Sequence, residues 1–130
     1  MTAADVRQRA ATAREHLQVA RERLEMCQGQ VGPSSEAQVA ASNAVSAAIA
    51  AADALCGHAI GQRAAGQDHR EAVKMLKSVS GVGAGLAPKL ARLLNDKTLL
   101  QYGGFCTRAQ AERATKDAAA MIDELDRRAL

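Results

Sequence analysis

Alanine fills roughly 30 of the 130 positions, whereas the chain contains one Tyr, one Phe and no Trp. Its core must therefore be built from small and aliphatic side chains. That favours helices, because Ala has the highest helix propensity and a poor strand propensity, and it excludes a β-sandwich or barrel. The length suits one domain, long enough to bury most of the surface its unfolded form exposes and too short for a second independent core. Apolar residues make up 48% and charged residues 24%, which separates the chain from disordered and collagen-like classes. The expectation is a single all-α domain over residues 1–130.

The most apolar run, 44–54, includes Asp53 and falls short of the roughly 18 apolar residues of a membrane span. Asp5 and Arg7 stand where a signal peptide would carry its apolar core. A cytoplasmic protein without membrane contact is expected. Cys27, Cys56 and Cys106 are odd in number and lack metal-ligand spacing, so they read as reduced core residues. A net charge of +3 permits a nucleic-acid partner without requiring one.

Along the chain, Val6, Ala10, Ala13, Leu17, Ala20, Leu24 and Cys27 recur at alternating spacings of four and three, the seam of a long first helix that Thr2 and Asp5 can cap. Its many arginines share the outer face with Glu15, Glu22 and Glu25, which reads as a solvated surface. A second, central helix spans about Ser35 to Ile60, with Asp53 at the edge of its apolar stripe. A short third helix capped by Asp68 turns Ala72, Val73, Leu76 and Val79 inward. The glycines of 80–85 read as a flexible connection, since no strand or Gly-Lys-Ser/Thr accompanies them. A fourth helix is expected from Leu86 to Gln101, its aliphatic seam interrupted by Lys97, for which Asp53 is the expected acid partner. Thr107 and Gln110 form a capping-box signal for the last helix. These elements suggest an antiparallel four-helix-bundle core with one short additional helix.

His16, His58 and His69 lie on separate segments without ligand spacing, and no Gly-x-Ser-x-Gly is present, so neither a metal site nor a cofactor is expected. What remains is Arg63 and His69. A guanidinium fork for phosphate beside a group that exchanges protons near neutral pH is what metal-independent RNA cleavage requires. A helix-capping turn with a surface Arg and His accounts for the same spacing equally well.

The runs Ala51-Ala52-Asp53-Ala54-Leu55-Cys56, Gly61-Gln62-Arg63 and Gly66-Gln67-Asp68-His69-Arg70-Glu71-Ala72-Val73, with Leu76, resemble the middle of a HEPN domain (higher eukaryotes and prokaryotes nucleotide-binding) of the compact, single-domain actinobacterial type. Lys97 to Tyr102-Gly103, followed by an alanine-rich closing helix, is similar to the family's ending. The resemblance implies a helical homodimer and assigns candidate roles: Arg63, His69 and Asp53 for catalysis, Lys97, Tyr102 and Arg70 for binding. Catalytic members usually carry a polar residue after the arginine, and here it is Ala64. The resemblance therefore implies first a non-catalytic nucleotide- or RNA-binding or protein-interaction module, whose protein partner would be an antitoxin or nucleotidyltransferase. The alternative is a metal-independent ribonuclease of toxin or defence type using Arg63 and His69.

Overall fold

The computed structural model describes residues 1–64, 69–97, 100–101 and 104–130, with His69 through its backbone alone. The protein is all-α, with helices α1 (Ala3–Met26), α2 (Ser35–Ile60), α3 (His69–Lys77), α4 (Gly83–Asn95) and α5 (Arg108–Arg127). No strand occurs among the described residues.

Each long helix begins where its capping residues demand. Thr2 Oγ1 accepts from the Asp5 N–H at 3.1 Å while Asp5 Oδ2 accepts from the Thr2 N–H at 2.9 Å. Ser34 accepts from the Ala37 N–H to start α2, and Thr107 and Gln110 cap α5 reciprocally. Such caps satisfy N–H groups that the first helical turn leaves without partners. At the other end of α2, Gly61 adopts the left-handed conformation, φ 72°, which stops the helix and redirects the chain.

The seam of α1, from Val6 to Leu24, is buried against α2 and α5. Arg14 on α1 reaches Asp126 and the Leu130 carbonyl, while Arg108 Nε donates to the Leu24 carbonyl at 3.3 Å. Hence α1 runs antiparallel to α5. The Ser34 N–H donates to the Cys106 carbonyl at 3.1 Å, which sets the starts of α2 and α5 side by side, so these two helices run in one direction. Arg92 near the end of α4 grips Asp117 through two bonds, and Arg128 near the end of α5 reaches the Ser80 carbonyl just before α4. These ties make α4 antiparallel to α5. The Arg128 and Arg127 guanidiniums also hold the Glu124 carboxyl below its ordinary range.

Although no run of consecutive apolar residues is long enough, α2 as a whole has the length and mean hydropathy of a membrane-spanning helix. In the fold it is the core helix, with 67% of its most apolar window buried. Its buried residues are mostly alanines and include Val45, Leu55 and Cys56. Cys27 and Cys106 are likewise buried free thiols.

The fourth helix departs from expectation at both ends. It begins at Gly83, inside the glycine run read as a flexible connection, and Asp96 closes it well before Gln101. Two glycines explain the early start. Gly81 takes φ +88°, turning the chain after α3, and Gly83 packs so closely on the end of α3 that a Cβ there would lie 2.3 Å from the Lys77 carbonyl oxygen and 2.6 Å from that of Leu76. The glycines thus make a tight turn rather than a loose one. Leu76 on the third helix and Val79, which lies in the turn just past its end at Lys77, are buried as expected, with Ala72 and Val73 only half-buried; the expected cap, Asp68, lies outside the described residues.

Gly83 and Gly85 should respond in opposite directions to the same substitution. Gly83→Ala is expected to destabilise the protein by about 1–3 kcal/mol, because the backbone of α3 must give way. A Cβ at Gly85 meets nothing within 4 Å, so Gly85→Ala should stabilise by about 0.4–1 kcal/mol through helix propensity. Urea denaturation of the two variants reads both signs.

Candidate functional site

Two of the residues singled out from sequence meet in the structure. Asp53 lies on α2 two turns before its end, and the chain reversal at Gly61 carries Arg63 back toward it, Nη1 standing 3.9 Å from Asp53 Oδ2. The stronger partner is Arg9 on α1, whose Nε and Nη2 lie 3.1 and 3.0 Å from the same oxygen. The carboxylate is 14% exposed, the Arg63 side chain 54%. Arg63 therefore touches the site from the solvent side, while Arg9 closes it from α1.

Lys97 was the expected partner of Asp53, and the structure corrects this. Since α4 ends at Asn95, Lys97 no longer continues its seam. The chain beyond it lies on the first half of α2: Gln101 Nε2 donates to the Ser42 carbonyl and to Ser46 Oγ, both at 3.2 Å, and Gln38 donates to the Leu100 carbonyl. That stretch of α2 ends two turns short of Asp53. Lys97 itself is half-buried. His69 is the first residue of α3, but its side chain lies outside the described residues, as does all of Tyr102. Arg70 is exposed on α3.

Burial raises the Asp53 carboxyl above its ordinary range, although both arginines pull the other way. One turn on, burial and the nearby Asp53 charge push the Cys56 thiol up to about 11. A thiol so placed stays protonated at neutral pH and is a poor nucleophile. Among the described residues, no group of three or more His, Cys, Asp or Glu converges on a point that could hold a metal ion.

The second notable feature lies between α3 and α4, where an open groove of about 350 Å³ has a floor of Val73, Ala91 and Leu94. Arg70, Lys74 and Lys77 stand along its α3 side. Their i, i+4, i+7 spacing places all three on one face of a helix. Among the described residues, no carboxylate pairs with Lys74 or Lys77.

Sequence reasoning had Arg70 but missed Arg9, Lys74 and Lys77. Arg9 was counted with the solvated face of α1, yet it follows Val6 by three positions and flanks Ala10, so it borders the buried seam. The lysine spacing was visible, but the groove beside it requires α4, which sequence alone does not dock. No protein-family model matches the chain, and no curated protein sequence matches it at a significant level.

Asp53 provides a signed test. A carboxyl that ionises less readily in the fold than in the unfolded chain leaves the native state holding more protons, so its contribution to stability falls as pH rises from about 3.8 through the raised value. Asp53→Asn should flatten that slope and, because the amide oxygen still accepts from Arg9, change stability at neutral pH by no more than about 1 kcal/mol. Denaturation of both proteins across pH 3 to 7 measures it. The three buried thiols should likewise resist a disulfide exchange reagent at neutral pH until denaturant is added.

Proposed function

We propose that this chain is a HEPN-like, non-catalytic interaction module that works as a homodimer and holds an anionic partner along α3. The alternating directions of α1, α2, α4 and α5 support an antiparallel four-helix-bundle arrangement with α3 as the additional helix. The observation that carries the function is the cationic row of Arg70, Lys74 and Lys77 beside an apolar groove. By contrast, the Arg63 guanidinium is set against the Asp53 carboxylate that Arg9 already holds, and a carboxylate there repels a phosphate arriving at the same guanidinium.

Dimerisation follows from the composition of the core. Alanine contributes little buried area per residue, so a lone bundle of this size gains from further burial. Met26, Val31 and Phe105 are 59%, 91% and 62% exposed. All three belong to the end of the molecule where Ser34 pairs with Cys106. That end is the surface we assign to a second copy.

Light scattering at micromolar concentration should give twice the chain mass. Heparin, used as a generic polyanion, should retain the protein, and Lys74→Glu/Lys77→Glu should elute at clearly lower salt. Single-stranded RNA of mixed sequence should remain intact with or without chelator. Cleavage leaving 2',3'-cyclic phosphate ends, lost in both His69→Ala and Arg63→Lys, would replace this reading with the ribonuclease that uses Arg63 and His69.

A further inference from the structure

We infer that the α3–α4 groove is a docking site for an acidic amphipathic helix contributed by another protein. This rests on the reading of the chain as a module for anionic partners and names the chemistry of that partner.

The shape of the cationic row sets the first constraint. Arg70 and Lys77 are separated by seven residues of helix, a rise of about 10 Å, with Lys74 between them. Side chains so spaced along an axis do not converge on one phosphate or one carboxylate. They match an extended anion whose charges repeat at a similar interval. Glu71, the acid on α3, precedes Lys74 by three positions and so borders the row on its outer side. Among the described residues that line the groove itself, none is a carboxylate.

The floor sets the second constraint. Val73, Ala91 and Leu94 are aliphatic, and among the described residues no aromatic ring lines the groove. Single-stranded nucleic acids gain much of their hold on proteins by stacking bases on aromatic side chains, and their base edges need hydrogen-bond partners. Among the described residues Asn95 is the one amide at the groove, so bases laid on this floor would forfeit both kinds of contact there. A helix with an apolar stripe loses nothing there. Its aliphatic side chains enter the groove at i, i+3 or i+4 and i+7, while Glu or Asp residues at the edge of the stripe repeat along the axis as the cations do.

The volume agrees with this occupant. A groove of about 350 Å³ is at the small end of ligand sites and accommodates a few aliphatic side chains rather than a whole folded surface. Apolar contact supplies affinity, and the cations select the sign of the partner and set its register.

Three synthetic helical peptides of about 20 residues test the inference. They share one leucine stripe and differ only in the flanking positions, which are Glu, Gln or Lys. Fluorescence anisotropy should show the Glu peptide binding about tenfold or more tighter than the Gln peptide. Lys74→Glu/Lys77→Glu, whose folding is checked by circular dichroism, should lose the Glu peptide by a similar factor and gain the Lys peptide. Salt should weaken the wild-type complex without abolishing it, because the apolar floor is not screened. Equal binding of all three peptides, or no binding of any, overturns the inference. So does a 20-nucleotide RNA that binds through Lys74 and Lys77 and displaces the Glu peptide, although that result leaves the non-catalytic module standing. Cleavage of the RNA would instead remove the module reading itself.

Discussion

Alanine on the inward-facing turns of α2 lets two other helices lie directly on it. Both α1 and α5 pack along this helix and against each other, and α2 is buried over most of its circumference. Larger side chains at these positions would push one of the two away. The arrangement limits the aliphatic surface that each contact removes from water, so stability rests on close approach rather than on large interlocking side chains. The larger buried residues, among them Leu76, Leu90, Leu93, Met121 and Leu125, are instead concentrated on α3, α4 and α5.

Polar groups on this core are treated unequally. Glu124 and Asp117 are buried on α5, and each carboxylate is gripped twice by arginine: Glu124 by Arg127 and Arg128 of its own helix end, Asp117 by Arg92 across to α4. Asp53 receives its main partner from α1 and a distant second from the chain beyond α2, yet desolvation still outweighs both in raising its carboxyl. Such an ion pair does more to fix the register of α1 on α2 than to stabilise the fold.

Local signals were legible in the sequence where one helix carries them alone. The α1 seam, the Thr2 and Thr107 caps and the span Ser35–Ile60 each follow from spacing within one segment. The start of α4 was not legible, because glycine marks both loose connections and tight turns. Only the proximity of Gly83 to the α3 carbonyls distinguishes them. Pairing was harder still. Arg9 and Asp53 are 44 positions apart, and a lysine on an expected seam looked the better partner until that seam ended at Asn95. The groove depends on two helices at once, so nothing within α3 alone singles out Lys74 and Lys77.

Attachment within the molecule is uneven. α3 packs chiefly on α4, α4 divides its packing between α3 and the two helices α5 and α2, and both touch α2 far less than α1 and α5 do. Cooperative opening units tend to follow such boundaries. The α3–α4 pair is therefore the natural candidate for a foldon of lower stability, exchanging its amide protons through partial opening while α1, α2 and α5 exchange only on global unfolding. The cationic groove is built wholly on that pair, so whatever settles there would also slow its opening, and occupancy would be recorded in the exchange of α3 and α4 backbone amides far from any contact with α1.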